Sequence, residues 1–283
     1  MSGELLKGKP IADKIKEDLK GQIAFFKKKP KLLALQIGEN QASQVYTRNQ
    51  MKQAELLGIE YELKALGATT SQSDAEALIR DLNKTGDITA VIIQLPVPKQ
   101  INPKMLVNLI DPMKDAEGMH PANLGKILLG SYSIGPCTAM AVMELLQASG
   151  TELYGKEAVC VGHSEIVGKP LSLMLLNKFA TTSVCHIATG ERGMLAEYVK
   201  RAEVLIVAVG KAGIVKGEWI KDGAIVIDVG INMVEGKLVG DVEFETASKH
   251  ASFITPVPGG VGPLTTTILM RNVVELHKLQ TKT

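Results

Sequence analysis

The feature that most constrains the fold is an alternation of short apolar runs with longer amphipathic stretches. Residues 31–37 and 88–95 are apolar enough to form buried strands, whereas residues 41–57 carry apolar side chains at helical spacing. The alternation starts again after residue 150. Strands that alternate with helices favour a parallel sheet covered by helices on its faces. The sequence therefore predicts an α/β fold.

The same pattern predicts where the elements and the two lobes lie. Residues 111–136 are rich in Asp, Gly and Pro, so we expect the chain to cross between lobes there. The predicted boundaries are residues 1–136 with 264–283 for one lobe and residues 137–263 for the other. Helices are predicted at residues 11–28, 41–57, 72–83, 103–110, 138–149, 169–178, 191–201 and 264–279. Strands are predicted at residues 31–37, 59–65, 88–95, 157–162, 182–187, 203–209 and 224–229, and short pieces near 238–241 and 252–255.

Composition excludes several classes of function. The 283 residues include 32 Lys+Arg and 30 Asp+Glu, and this near-neutral balance argues against a general nucleic-acid binder. The three cysteines form no CxxC pair, so we expect reduced thiols and neither a disulfide framework nor a metal site. The N-terminus lacks the apolar run of a signal peptide, and no stretch has the ~20 apolar residues of a membrane span. We therefore expect a cytoplasmic protein.

The segment Gly162-His-Ser-Glu-Ile-Val-Gly168 indicates a dinucleotide site. It follows a predicted strand and opens a predicted helix, whose N-terminal N–H groups suit a pyrophosphate. Because Ser164 stands where GxGxxG has its middle glycine, an ordinary strand-to-helix turn is an equal alternative. Two later strand ends, Val209-Gly210 and Asp228-Val-Gly-Ile-Asn232, favour the cofactor interpretation.

Two further segments are candidates for ligand contact. Three Gly and three Pro within residues 256–263 fix an unusual backbone before the last helix, typical of a loop that holds a ligand or of a rigid cap. Gln94-Leu95-Pro96 ends the strongest strand of the first half, where it would direct an amide toward a ligand or simply terminate the strand.

Together these segments resemble the methylenetetrahydrofolate dehydrogenase/cyclohydrolase family. The resemblance is carried by QLPVP at 94–98, KDAEG at 114–118, GHSEIVGKP at 162–170, VKGEWIKDGAIVIDVGIN at 215–232, VGDV at 239–242 and ASFITPVPGGVGPLT at 251–265. It implies an N-terminal α/β folate-binding lobe, a C-terminal Rossmann-like lobe for NAD(P)+, folate in the cleft and a homodimer. Such enzymes oxidise 5,10-methylene-tetrahydrofolate to the methenyl form, and many then hydrolyse it to 10-formyl-tetrahydrofolate.

The resemblance also implies which residues form the site. The expected catalytic residues are Tyr46, Gln50, Gln94 and Glu117. The folate is expected to contact Tyr46, Gln94, Leu95, Pro96, Glu117, Pro258, Gly259, Gly260 and Val261. The cofactor is expected to contact Gly162, His163, Ser164, Ile187, Gly210, Ile231 and Thr265.

This chain departs from the family at the position of the hydrolytic lysine. The family's first-lobe helix has Tyr-x-x-x-Lys, and here Tyr46 is followed by Gln50. Lys52 lies about 240° from Tyr46 around the helix, whereas Gln50 lies about 40° from it, so Lys52 faces elsewhere. An amide cannot exchange a proton at neutral pH. We therefore expect dehydrogenase activity with weak or lost cyclohydrolase activity.

Other departures leave alternatives open. Glu117 replaces the family's aspartate, and His163 and Ile187 replace the arginine and serine that commonly hold the extra phosphate of NADP, which favours NAD or mixed use. The alternatives are a fully bifunctional enzyme, a non-catalytic folate-binding paralogue, and an unrelated Rossmann dehydrogenase.

Overall fold

The computed structural model describes residues 3–39 and 41–281, with the backbone alone at residues 41–45. The described chain forms two compact units. The N-terminal unit comprises residues 14–135 and 266–281, and the C-terminal unit comprises residues 3–13 and 136–265. No helix in the described part of the chain is long and apolar enough to cross a membrane.

The elements alternate along the chain as expected for an α/β protein. The strands are β1 (Glu4–Leu5), β2 (Lys31–Ile37), β3 (Glu60–Leu66), β4 (Ala90–Ile93), β5 (Glu157–Val161), β6 (Thr181–Cys185), β7 (Val204–Val207), β8 (Ile225–Asp228), β9 (Asn232–Val234), β10 (Lys237–Val239) and β11 (Phe253–Ile254). The helices are α1 (Gly8–Ala24), α2 (Gln41–Leu57), α3 (Gln72–Lys84), α4 (Pro103–Leu109), α5 (Pro121–Leu128), α6 (Cys137–Ala148), α7 (Gly168–Leu176), α8 (Ile187–Glu191), α9 (Leu195–Arg201), α10 (Phe244–His250) and α11 (Gly262–Thr281). A short 3₁₀ turn covers Gly217–Trp219.

The N-terminal unit is built on a parallel sheet with the order β3-β2-β4. Leu32–Leu35 of β2 and all of β4 are buried, and α3 and α4 pack against them through Ile79 and Leu106. Ser71 caps α3 because its hydroxyl accepts the N–H of Asp74. The C-terminal helix α11 completes this unit, where Asn272 donates to the carbonyls of Ala116 and Gly135.

The C-terminal unit contains a six-stranded parallel sheet with the order β1-β11-β8-β7-β5-β6. Strands β7 and β8 are buried along their whole length, which explains the apolar runs at residues 204–207 and 225–227. Strands β9 and β10 form a separate antiparallel hairpin. Its turn, Glu235-Gly236, has positive φ at both residues, as a tight hairpin requires.

The predicted fold class is confirmed, and β2 and α2 coincide with their predicted ranges. Several details differ, and one of them is helix α10, which was not predicted. The interval 111–136 contains helix α5, whose N-terminus is capped by His120. The predicted helix 191–201 is two helices, because Gly193 between them has φ of +71°. Strands β1 and β9 were not predicted, since runs of two or three residues carry too little pattern.

The lobe boundaries stay a prediction. The structure groups residues 3–13 with the C-terminal unit, whereas the sequence-based boundaries assign them to the folate-binding lobe. The physical reason for this grouping is the parallel pairing of β1 with β11, reinforced by the N–H of Gly8 donating to Gly259.

Two buried carboxylates organise the loops of the C-terminal unit. Asp241 is fully buried and accepts the N–H groups of Val209, Gly210 and Lys211, which follow β7, at 2.7, 2.9 and 2.8 Å. Asp228, at the end of β8, accepts three more N–H groups, those of Gly230, Asp241 and Val242. Burial raises the pKa of Asp228 to about 6 against the effect of these donors.

We expect Asp241→Ala to lower the free energy of unfolding by more than about 3 kcal/mol, because three N–H groups lose their acceptor. Urea denaturation measures this loss. The matched control is Asp222→Ala, since the Asp222 side chain is 88% exposed and pairs with His250 at the surface. We expect that change to stay within about 1 kcal/mol. Equal losses in the two variants would contradict a structural role for Asp241.

Candidate active site

The N-terminal unit brings two predicted catalytic residues, Gln50 and Gln94, into direct contact. Gln50 lies on α2 and Gln94 directly after β4, and both are buried, with 2% and 5% of their surfaces exposed. Gln94 Nε2 donates to Gln50 Oε1 at 2.6 Å. The Tyr61 hydroxyl donates to the same oxygen at 2.9 Å. Position 50 therefore presents an uncharged acceptor that is saturated by two donors.

Glu117 lies beside the same end of β4. Its carboxylate accepts a hydrogen bond from the backbone of Ile93, the residue that precedes Gln94. Burial raises the pKa of Glu117 to about 7, and the neighbouring charge of Asp115 adds to the shift. Asp115 itself is held by the N–H of His120 and the amide of Asn123. The structure thus gathers three of the four predicted catalytic residues around the carboxyl end of one strand.

The remaining predicted folate residues of this unit are accessible. Tyr46 lies about one helical turn before Gln50 and is 44% exposed. Leu95 is 54% exposed, and the Leu95–Pro96 peptide bond is cis. These exposed apolar surfaces flank the buried amides, so the cluster combines polar groups with apolar contact area, as small-molecule sites do.

In the C-terminal unit a cavity of about 490 Å³ lies at the carboxyl ends of β5, β6 and β7. Four of the predicted cofactor residues line it, namely Gly162, His163, Ser164 and Ile187. This is the position where open parallel sheets bind dinucleotides.

The backbone of the Gly162 turn requires glycine. Gly162 has φ of +122°, and a Cβ there would lie 2.3 Å from the carbonyl oxygen of Ala208. A Cβ at Gly168 would lie 2.0 Å from the carbonyl oxygen of Gly162, so helix α7 packs directly on the turn. Ser164 Oγ accepts the N–H of Val167, which leaves its hydroxyl proton available to donate. These features fit a phosphate-bearing cofactor at the N-terminus of α7.

The charge of the cavity is mixed. The rings of His163 and His186 lie 5.4 Å apart, and Ile187 is 76% exposed. Glu191 and Lys211 also line the cavity. The two positions that commonly hold the extra phosphate of NADP in the family therefore carry an imidazole and an aliphatic side chain.

Other predicted residues lie outside this cavity. Gly210 is held by Asp241, Ile231 is 64% exposed after β8, and Thr265 lies in the first turn of α11. The loop predicted to contact folate, residues 258–261, also belongs to the C-terminal unit. Within it, the N–H of Gly260 donates to the carbonyl of Pro256 at 2.8 Å. Val261 is 6% exposed, so little of this residue is accessible to a ligand.

Sequence reasoning missed Tyr61, Asp241 and Glu191. Tyr61 contacts Gln50 from another element, and a single sequence contains no signal for such a pairing. Asp241 lies in the VGDV segment that supports the resemblance, but its role becomes visible only from the three N–H groups around it. Glu191 follows β6 in a helix whose predicted start was placed four residues too late.

Comparison with known proteins agrees with both units. Residues 6–117 match the family described as tetrahydrofolate dehydrogenase/cyclohydrolase, catalytic domain. Residues 136–281 match the NAD(P)-binding domain of the same family. The bifunctional protein FolD of Acetivibrio thermocellus is 46% identical over 286 residues, covering 100% of this chain and 99% of the relative.

Solved structures agree as well. The bifunctional FolD methylenetetrahydrofolate dehydrogenase/cyclohydrolase of Campylobacter jejuni has a TM-score of 0.94 at 42% identity, over 98% of this chain and 99% of that one. The Trypanosoma brucei enzyme, solved with NADP and an inhibitor, has a TM-score of 0.93 at 36% identity and covers all of both chains.

These matches confirm the predicted family, the α/β fold with a Rossmann-like unit, and a cofactor of the NAD(P)+ class. The two domain matches together cover most of both units. The identity to the Acetivibrio thermocellus protein extends over the whole chain. The chain therefore belongs to the tetrahydrofolate dehydrogenase/cyclohydrolase family, whose members include NAD(P)-dependent dehydrogenases.

Proposed function

We propose that this protein oxidises 5,10-methylene-tetrahydrofolate to the 5,10-methenyl form with NAD(P)+, and that its cyclohydrolase activity is weak or lost. The observation that carries the proposal is the buried, uncharged amide pair of Gln50 and Gln94 beside the Glu117 carboxyl. Tyr46, Leu95 and Pro96 would supply apolar contact, and Glu117 would hold the pterin by its ring nitrogens and amino group.

The dehydrogenase step makes few demands on the protein's acids and bases. When bound, the dinucleotide supplies an acceptor for the hydride that leaves the methylene bridge. The lone pair of the adjacent folate nitrogen stabilises the cation that remains. The chain's residues need only hold the two rings at near-contact distance in the correct orientation. The Gly162 turn, Ser164 and the N-terminus of α7 would hold the cofactor's phosphates.

Hydrolysis makes a demand that Gln50 does not meet. Attack of water on the methenyl cation and opening of its ring require a group that takes and returns protons. Gln50 accepts and donates hydrogen bonds but does not exchange protons at neutral pH. The nearby lysines are engaged or turned away, since Lys114 donates to the carbonyls of Leu82 and Thr85, and Lys52 is exposed. General acid–base help is worth roughly 10²–10⁴-fold in rate.

Two alternatives are weighed against this proposal. A fully bifunctional enzyme fits the names of the relatives equally well, and it would need water to bypass Gln50. A non-catalytic folate-binding paralogue would account for the departures at positions 50, 117, 163 and 187. The glycines of the cofactor turn argue against it, because Gly162 and Gly168 keep a backbone that no other residue fits.

The decisive experiment is a two-wavelength assay that follows reduced cofactor, methenyl-tetrahydrofolate and its disappearance. We expect cofactor reduction with accumulation of the methenyl product. We expect Gln50→Lys to accelerate its hydrolysis by about 10²-fold or more. The matched control is Gln100→Lys, an exposed position elsewhere in the unit. Hydrolysis by the unmodified protein at the rate of bifunctional relatives would contradict the proposed loss of cyclohydrolase activity. Absence of cofactor reduction would contradict the proposed dehydrogenase activity.

The raised pKa of Glu117 predicts a pH profile. If the carboxylate is the form that holds the pterin, it is present only above its pKa of about 7. We therefore expect kcat/KM for the folate to rise with pH between about 6 and 8 and to level off above. Glu117→Gln should lower kcat/KM and flatten this rise, whereas the exposed Glu55→Gln on α2 should keep it. A profile that keeps its inflection after Glu117→Gln would assign it to another group.

We also propose that the protein uses NAD, alone or together with NADP. The support is the pair of His163 and Ile187 in the cavity, together with the carboxylate of Glu191, which would repel a 2′-phosphate. Neither His163 nor Ile187 offers the fork of donors that an arginine gives to phosphate.

We expect kcat/KM with NAD to equal or exceed that with NADP. His163→Arg should raise kcat/KM with NADP by about tenfold or more, because the arginine would add a charge-assisted hydrogen bond to the phosphate. Steady-state kinetics with both cofactors measure this, with His250→Arg on α10 as the matched control. Strong NADP preference in the unmodified protein would contradict the proposal. The homodimer and the cytoplasmic location stay predictions.

A further inference from the structure

We propose that Tyr61 is a positioning residue of the folate site and acts through Gln50 to fix the orientation of the Gln94 carboxamide. The inference rests on the proposed function and deepens it, because it states which hydrogen-bonding groups the site offers to the substrate. Tyr61 lies on β3, away from every segment that carries the family resemblance.

Two hydrogen-bond donors occupy the side-chain oxygen of Gln50. Gln50 Oε1 accepts from the Tyr61 hydroxyl at 2.9 Å and from Gln94 Nε2 at 2.6 Å. An amide oxygen has two lone pairs, so both are used. The Tyr61 hydroxyl and the Gln94 amide therefore converge on the same atom, and the three side chains form one hydrogen-bonded cluster. Each member is buried or half-buried, so water competes poorly for these bonds.

This arrangement sets the polarity of the groups that remain. The Gln50 oxygen and the Gln94 nitrogen are consumed, and the Gln50 nitrogen and the Gln94 oxygen are left. Within the described part of the chain neither of these two atoms has a hydrogen bond to another residue. The site therefore offers one amide donor and one amide acceptor. A pterin, whose edge combines N–H donors with nitrogen and oxygen acceptors, suits such a pair.

Tyr61 makes one of two possible amide orientations the stable one. A 180° turn of the Gln50 amide would point its NH₂ group at the NH₂ group of Gln94. The Tyr61 hydroxyl opposes that turn, because it donates to the oxygen in its present position. Burial raises the pKa of the Tyr61 hydroxyl far above its ordinary value, so the proton is retained at neutral pH.

Tyr61 is matched to an acceptor at position 50. A lysine there would present donors only, and Gln94 would have to turn its oxygen inward to meet the ammonium. Gln94 would then offer the substrate its NH₂ group in place of its oxygen. The combination of Tyr61 with Gln50 therefore fixes the polarity that a lysine would reverse.

The test is Tyr61→Phe, which removes only the hydroxyl oxygen. We expect KM for 5,10-methylene-tetrahydrofolate to rise about two- to tenfold, the value of one hydrogen bond. We expect kcat and KM for the cofactor to stay within about twofold, since the contact is equal in the ground and transition states. Tyr154→Phe, an exposed tyrosine of the C-terminal unit, is the matched control.

A double-mutant cycle with Gln50→Met separates positioning from a merely structural role. Once position 50 no longer accepts, Tyr61→Phe should cause no further change in the folate KM. An unchanged folate KM in the single variant, or the same rise in both backgrounds, would overturn the proposal. If Gln50→Met fails to fold, the single variant decides, because a general loss of structure would change both KM values. Absence of activity in the unmodified protein would instead overturn the proposed function.

Discussion

In a parallel sheet the strands all end on one side, and each backbone N–H beyond the last ladder bond needs another acceptor. The C-terminal unit meets this constraint with two buried carboxylates. Asp241 takes the N–H groups that follow β7, and Asp228 takes one that follows β8 and two that follow β10. The loop that contains Gly210 is thereby held in place by its backbone, so the side chains that line the cavity take no part in fixing it. Rigid loops at strand ends are what a flat cofactor ring requires.

The N-terminal unit satisfies a different constraint, that of burying polar side chains. Two amides and a phenol lie next to a carboxyl group, and no cation is among the causes of the shifted pKa of that carboxyl group, Glu117. A hydride transfer tolerates this, since the substrate's own nitrogen stabilises the developing charge. The hydrolytic proton transfer lacks a group at position 50, because neither the two amides nor the Tyr61 phenol titrates near neutral pH, and Glu117, with a pKa of about 7, is assigned to holding the pterin. The same cluster therefore suits one reaction of the family and disfavours the other.

Periodicity predicted most of the fold and motifs predicted most of the candidate site. Strand β2 and helix α2 were placed correctly because their patterns are long and unambiguous. Strand β1 was missed because two residues carry no period, and its partner β11 is about 250 residues away. Tyr61 and Asp241 were missed for a related reason. Their roles depend on neighbours brought close by the fold, and neither residue type is unusual where it stands.

The departures from the family pattern are physically connected. Glu117 has a raised pKa because it is buried and because its charged neighbour, Asp115, repels a second negative charge. A lysine at position 50 would add a positive charge to this cluster and would lower that pKa. Glutamine at position 50 carries no positive charge and therefore does not lower the pKa of Glu117. If the lysine had simply been lost, the residue at position 50 would have no acceptor matched to the donors of Gln94 and Tyr61. Both instead donate to Gln50, which is the arrangement of a site adapted to an acceptor rather than one decaying by independent losses.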